Sequence, residues 1–140
     1  MSAAHILVVD DEERLADVLA TALEDLGYRT TAVTSVKEAL SALDQSRFDL
    51  VLNARASSVN GVAPPISPAV FGSGCLAVDL MYGPAANIFM AWADAHGARA
   101  RDGLGMLVEQ AAEAFCFWRG VRPQTQPVLH ALRAQIARDT

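Results

Sequence analysis

Lysine is almost absent from this chain, since Lys37 is the only lysine among the eleven lysine and arginine residues. Chemistry that depends on a lysine therefore has one position available. Cysteine and histidine are also scarce: Cys75, Cys116 and three histidines occur without CxxC or HxxxH spacing. This pattern excludes a disulfide framework and provides no metal-site signature. Free cysteines are typical of a reducing compartment, so we expect a cytoplasmic protein.

Long apolar runs are missing as well. No run approaches the roughly 18 residues that a membrane-spanning helix needs, and no basic start precedes a short apolar segment. We therefore expect neither membrane spanning nor secretion.

Acidic and basic residues are unevenly distributed along the 140 residues. Residues 1–53 carry ten acids and four bases, a net charge of -6, whereas residues 54–140 carry six acids and seven bases, a net charge of +1. The chain has no cluster of basic residues, which argues against nucleic acid or an anionic membrane as a partner. Its length and apolar content predict one domain with a proper core.

The chain alternates predicted strands and helices. Phe48–Asn53 reads as a buried parallel strand, and earlier strands are predicted at His5–Val9 and Tyr28–Val33. Between the first two strands, a helix presents one apolar face; its residues are Leu15, Val18, Leu19, Ala22, Leu23 and Leu26. The next helix is expected to bury Val36, Ala39, Leu40 and Leu43. Such alternation predicts right-handed crossovers onto a parallel sheet.

Three later elements follow a Pro/Gly/Ser-rich loop that we place at Val59 to Pro68. They are predicted as a strand over Cys75–Met81, a helix over Asn87–Ala95 and a short strand over Ala98–Asp102. The pair Gly72 and Gly74 precedes its strand, so we do not interpret it as a phosphate-binding loop. Two final helices are predicted, from about Met106 to Arg119 and from Pro127 onward. The last helix is expected to cover the helix before it.

The first half contains the motifs "ILVVDDE", "LEDLGY" and "FDLVL" over about residues 4–52. In the order and spacing of these motifs it resembles a bacterial response-regulator receiver domain. The resemblance matches Asp10 and Asp11 to the acidic pair that holds Mg²⁺ in the family. The position of the phosphate-accepting carboxylate falls on Ala54, however, and a methyl group cannot form an acyl phosphate. Phosphoryl transfer is therefore not expected, and the acids have an alternative role in stabilising a helix N-terminus.

From Phe48 onward the chain contains the motifs "FDLVLNARASS", "AVDLMYGP" and "DGLGMLVEQAAEAFCFWRGVRP". In these motifs it resembles the nucleotide-binding domain of shikimate dehydrogenase. This resemblance implies that the nicotinamide end of an NADP site is lined by Asn53, Ala54, Met81, Tyr82, Gly103 and Met106. It also implies that Gln110 contacts the substrate. The alternatives are a tight turn at Gly103 and an exposed polar residue at Gln110.

Several parts of that family's active site are missing from the sequence. They are the Gly-rich phosphate loop, the basic residues that select NADP, and the substrate domain with its catalytic lysine and aspartate. We therefore expect no enzyme activity, no catalytic residues and no required cofactor, with NADP or Mg²⁺ bound only weakly.

Together the two resemblances predict a three-layer α/β fold with a doubly wound parallel sheet. Its five strands are expected in the order 2-1-3-4-5, as a flavodoxin-like and Rossmann-like hybrid. The single domain would comprise a receiver-like half, 1–52, and a dehydrogenase-like half, 53–140.

The leading functional hypothesis is an engineered or recombined chimeric scaffold without evolved catalytic activity. One alternative is a shikimate dehydrogenase remnant with weak nucleotide binding, and another is a receiver-like protein-binding module that cannot be phosphorylated. No partner is expected to be obligatory. A homodimer through the apolar C-terminal helices is an expectation, because we expect part of their apolar surface to be uncovered. The residues concerned are Phe115, Phe117, Trp118, Val128 and Leu132.

Overall fold

The structure is a computed structural model that describes residues 2–43, 47–55 and 66–140. The strands are β1 (His5–Val9), β2 (Arg29–Val33), β3 (Phe48–Asn53), β4 (Phe71–Asp79) and β5 (Arg99–Arg101). The α-helices are α1 (Glu13–Asp25), α2 (Val36–Leu43), α3 (Asn87–Ala95), α4 (Leu104–Arg119) and α5 (Gln126–Asp139). Most of the predicted loop at 59–68 lies outside the described residues, as do the side chains of Val36, Leu40 and Leu43.

All five strands are parallel and lie in the order β2-β1-β3-β4-β5, which confirms the predicted sheet. Strand β1, an interior strand next to the edge strand β2, is buried along its whole length, as expected for a strand covered on both faces. Since α1 packs on one face and α2 and α3 pack on the other, the fold has three layers.

The core is continuous across the predicted boundary at residue 52. One buried cluster combines side chains from both halves: Leu7, Val9, Val33, Ala39, Phe48, Val51, Ile66, Val70 and Cys75. Phe71 and Trp92 pack against this cluster and also against the cluster under α3, and their ring centroids are 5.1 Å apart. The two resemblances therefore meet within one packed interior.

The predicted apolar face of α1 is partly wrong. Ala16 and Ala20 are the buried residues of this helix, and Leu19 and Leu23 pack beside them. Leu15, Val18 and Leu26 are exposed instead. Small alanines allow the helix to approach the sheet closely, which rotates the larger residues toward the helix edges.

Strand β4 begins at Phe71, four residues earlier than predicted. The first part of β4 is irregular, since Phe48 pairs with Phe71 whereas Leu50 pairs with Leu76. Gly74 has a φ of +70°, and a Cβ on Gly72 would lie 2.8 Å from the Phe48 carbonyl oxygen. Both glycines therefore allow a bulge within the strand. This role agrees with the prediction that Gly72 and Gly74 do not form a phosphate-binding loop.

The two C-terminal helices leave more apolar surface exposed than the prediction of mutual cover implies. Helix α4 buries Leu104, Val108 and Ala112, whereas α5 has no buried residue. Phe117 and Trp118 remain 88% and 76% exposed, and Phe115, Val121 and Val128 are exposed too. These five residues are the C-terminal apolar surface. Within the described residues, no helix has the length and apolar character needed to cross a bilayer.

Candidate functional site at the carboxyl edge of the sheet

Four of the five strands end in the same local turn. A side-chain oxygen of an Asp or Asn at the strand end accepts a hydrogen bond from the backbone N–H two residues later. The donor–acceptor pairs are Glu12 to Asp10 (3.0 Å), Arg55 to Asn53 (3.4 Å), Met81 to Asp79 (3.0 Å) and Leu104 to Asp102 (3.2 Å). These Asx turns direct the loops after β1, β3, β4 and β5 away from the sheet.

Backbone hydrogen bonds join neighbouring loops along the edge. The Ala54 N–H donates to the Val9 carbonyl at 2.8 Å, and the Leu80 N–H donates to the Asn53 carbonyl at 3.1 Å. The Gly103 N–H then donates to the Met81 carbonyl at 2.8 Å. Four predicted cofactor-site residues, namely Asn53, Ala54, Met81 and Gly103, thus lie in one connected row.

Glycine is required at position 103 by close backbone approach. A Cβ there would lie 2.2 Å from the Leu80 carbonyl oxygen, far inside van der Waals contact. Gly103 is buried and directly precedes α4, so its turn brings the N-terminus of that helix against the β4 loop.

The side chains of Tyr82 and Met106 are partly exposed at this edge, at 45% and 39%. Gln110 is exposed one helical turn after Met106 and therefore lies on the same face of α4. Tyr82 precedes Gly83, whose φ is +61°. The structure thus places Tyr82, Met106 and Gln110 on elements that start at the connected row, while their binding roles stay predictions.

The β1 end of the edge is acidic. Asp10 is 3% exposed, and burial raises the pKa of its carboxyl, with a further increase from the neighbouring carboxylates of Asp11 and Glu12. Its hydrogen bond from the Glu12 N–H only partly opposes this shift. Among the described residues, no hydrogen-bond donor pairs with Asp10 Oδ2.

These residues fit Mg²⁺ poorly. Asp10 is buried, which raises the pKa of its carboxyl, whereas Asp11 is exposed. In the described ranges, no group of three or more His, Cys, Asp or Glu side chains could hold a metal ion. Ala54 supplies no third carboxylate, so we derive no phosphoryl chemistry from this turn.

Sequence reasoning missed three residues that shape the edge. Asp79 is fully buried at the end of β4, and Asp102 is paired with Arg133 of α5. A recognisable signal was available for the aspartates, since an Asp or Asn at successive strand ends predicts Asx turns. The partner of Asp102 lies 31 residues away, and no local pattern indicates it.

Strand order, parallel crossovers and the row of strand-end loops define a Rossmann-like α/β fold. Two family models match the chain. Residues 6–62 match the response regulator receiver domain, and residues 103–133 match the shikimate 5'-dehydrogenase C-terminal domain. The chain is therefore a two-part sequence, as its motifs predicted.

Curated relatives show similarity to shikimate dehydrogenase over a longer stretch. The shikimate dehydrogenase (NADP(+)) of Acidovorax ebreus (strain TPSY) is 59% identical over 105 residues, covering 72% of this chain and 37% of the relative. That of Paracidovorax citrulli (strain AAC00-1) is 51% identical over 133 residues, covering 94% of this chain and 46% of the relative. The chain thus spans less than half the length of these relatives.

Solved structures agree with this similarity. An Ael1 enzyme from Pseudomonas putida is 31% identical with a TM-score of 0.67, covering 94% of this chain and 55% of that chain. The shikimate 5-dehydrogenase from Thermus thermophilus, in complex with NADP(H) and shikimate, is 26% identical with a TM-score of 0.72. That match covers 96% of this chain and 56% of the solved chain.

These findings overturn the leading functional hypothesis. An inert engineered scaffold joined near residue 52 does not account for a natural relative that is 51% identical across 94% of the chain, because that match must enter the receiver-like half. The receiver match likewise extends to residue 62, so the two resemblances overlap. A shikimate dehydrogenase-like protein, the first alternative, fits better. The expectation that no cofactor is required is not confirmed.

Proposed function

We propose that this chain binds NADP(H) at the carboxyl edge of β3, β4 and β5, as the nucleotide-binding part of a shikimate dehydrogenase-like oxidoreductase. The observation that carries the proposal is the connected row: backbone hydrogen bonds join the strand-end loops that contain Asn53, Ala54, Met81 and Gly103. Curated relatives named shikimate dehydrogenase (NADP(+)) and a solved relative in complex with NADP(H) and shikimate support the choice of cofactor.

The row fits the nicotinamide side of a dinucleotide. Gly103 allows close backbone approach, and the partly exposed Tyr82 and Met106 offer an aromatic and an apolar surface to a flat ring. NADP(H), when bound, supplies the hydride chemistry. The chain's own residues would position the ring and exclude water from one of its faces.

The phosphate side fits less well. The turn after β1 contains Asp10, Asp11, Glu12 and Glu13, at the place where this fold class usually has a glycine-rich phosphate loop. Carboxylates there repel a pyrophosphate, so we expect weak binding that depends on salt concentration.

The proposal of cofactor binding does not extend to catalysis by residues 1–140 alone. We expect no turnover of shikimate, because the resemblance assigns the catalytic lysine and aspartate to a segment before the nucleotide-binding part. The sole lysine, Lys37, is exposed in the first turn of α2, after the outermost strand β2. An assay of NADP⁺-dependent shikimate oxidation by this chain tests the expectation.

Binding is tested by thermal unfolding with and without millimolar NADP⁺. A ligand specific for the folded state stabilises by about 2.7 kcal/mol at a hundredfold excess over its dissociation constant. We expect Tyr82→Ala and Met106→Ala to reduce the NADP⁺-induced shift, because these side chains would contact the ring. Phe117→Ala, at the far end of α4, is the matched control. An unchanged midpoint with NADP⁺ would refute the proposal, and so would equal losses in all three variants.

A further inference from the structure

Arg133 connects the last helix to the carboxyl edge. Its Nη1 donates to Asp102 Oδ2 and its Nη2 donates to Asp102 Oδ1, each at 2.5 Å, so the guanidinium and the carboxylate form two parallel bonds. The Asp102 side chain is 5% exposed, whereas that of Arg133 is 45% exposed. A buried carboxylate held in a bidentate pair has a fixed orientation.

Asp102 in turn holds two loops. Its carboxylate accepts the Leu104 N–H at the start of α4 at 3.2 Å, and the Gly83 N–H of the β4 loop helps to lower the pKa of this carboxyl. Ile136, three residues after Arg133, lies beside the same β4 loop: its Cγ2 is 3.7 Å from the place where a Cβ on Gly83 would be. Helix α5 therefore lies close to the loop at 80–83 and is bonded through Arg133 to the turn at 102–104.

We infer that Arg133 is a positioning residue for the proposed cofactor site, because through Asp102 it fixes the spacing of the Tyr82 loop relative to the Gly103 turn. The inference rests on the proposed function. It adds α5 to the site, a helix that contains none of the predicted cofactor-site residues. Arg133 itself need not touch NADP(H). Its effect is transmitted by the hydrogen bonds of one carboxylate.

The electrostatic surroundings of Asp102 support this role. Burial on its own would raise the pKa of Asp102, but the bonds from Arg133 and from the two backbone N–H groups lower it below its usual value. In the described part of the chain, Arg133 is the charged side chain that acts on this carboxyl. Without Arg133 the pKa of Asp102 should rise, and the protonated carboxyl would hold the loops less firmly.

The test compares Arg133→Met, Arg133→Lys and Arg138→Met. Methionine removes the charge and the donors, and lysine keeps the charge but cannot form both parallel bonds. Arg138→Met is the matched control, because Arg138 lies on the same helix and forms no ion pair within the described residues. Two quantities are measured: amide hydrogen exchange of residues 80–86 and 102–106 without ligand, and NADP⁺ affinity as a function of pH.

We expect Arg133→Met to speed exchange in both loops and to weaken NADP⁺ binding by about fivefold, a typical coupling between neighbouring sites. Its affinity should also fall at a higher pH than that of the wild type, while Arg133→Lys is intermediate. An Arg133→Met protein with the exchange rates or the pH profile of Arg138→Met overturns the inference. If the wild type does not bind NADP⁺, the proposed function fails, and the exchange rates alone decide whether Arg133 fixes the loops.

Discussion

The carboxyl edge over β1 and the carboxyl edge over β5 use the same Asx turn in opposite electrostatic settings. Asp10 is buried beside Asp11 and Glu12, and its pKa is raised. Asp102 is also largely buried, but Arg133 and two backbone N–H groups lower its pKa. The local hydrogen bond is therefore not what distinguishes the two ends. The surrounding charges distinguish them: carboxylates surround Asp10, whereas the guanidinium of Arg133 neutralises Asp102.

Removing the glycine at the β5 end should have the largest effect. Gly103→Ala places a Cβ 2.2 Å from the Leu80 carbonyl oxygen, so the backbone must move. We expect a loss of about 3 kcal/mol in the free energy of unfolding, measured by urea denaturation. Gly105→Ala is the control, because a Cβ there meets nothing within 4 Å; helix propensity should make it neutral or stabilising by about 0.5 kcal/mol. Equal effects of the two substitutions would contradict the close approach.

Neutralising Asp10 should stabilise the protein at neutral pH. Because its pKa is raised in the folded state, its favourable contribution is present below the unfolded value of 3.8 and is lost as pH rises through the folded-state pKa. Asp10→Asn should therefore gain about 1 kcal/mol at pH 7 and nothing near pH 3. Unfolding curves at several pH values measure this gain. Asp11→Asn, at an exposed position, should show no comparable rise, and a pH-independent gain would refute the buried-charge explanation.

A smaller effect is expected on cofactor affinity at the acidic end. The double substitution Asp11→Asn and Glu12→Gln removes two exposed charges near the proposed phosphate position. It should tighten NADP⁺ binding about threefold at low salt, and the gain should vanish near roughly 0.5 M salt because of screening. Asp25→Asn at the other end of α1 is the control for net charge. A gain that survives high salt would indicate an altered structure instead of reduced repulsion.

The smallest and least specific effect concerns self-association, which stays a prediction. The C-terminal apolar surface contains two strongly exposed aromatic residues, whereas α1 exposes Leu15 and Val18 singly. In sedimentation equilibrium we expect concentration-dependent dimers that Phe117→Ser disrupts and Val18→Ser does not. A wild-type monomer at high concentration would contradict a homodimer through this surface.

The sheet could be predicted from the sequence because each strand is recognisable from residues that are close together in the sequence. Each strand is a short apolar run between turn residues, and alternation with helices leaves few arrangements of a parallel sheet. The packing face of α1 could not be predicted in the same way. Its leucines follow the helical period, but the small Ala16 and Ala20 decide which side approaches the sheet.

The site was only partly accessible to sequence reasoning. Motifs identified Asn53, Ala54, Met81 and Gly103, since those positions follow strands and resemble a family pattern. Arg133 could not be identified, because its bond to Asp102 joins residues 31 positions apart and no sequence pattern indicates such a pair. The functional hypothesis was wrong for a different reason: the change of resemblance near residue 52 and the incomplete active sites suggested an engineered junction, whereas a natural relative is 51% identical over 94% of the chain.

The repeated Asx turn has a consequence for how such sequences change. Each turn needs one Asp or Asn and the backbone two residues later, so it is encoded within three positions and makes no demand on distant side chains. A strand segment that contains its own Asx turn can therefore replace another strand segment at the same place in the sheet. The chain after the strand still turns away from the sheet in the same direction. The receiver-like and dehydrogenase-like segments of this chain both end their strands with this Asx turn. The shared turn makes the two kinds of segment structurally compatible within one sheet.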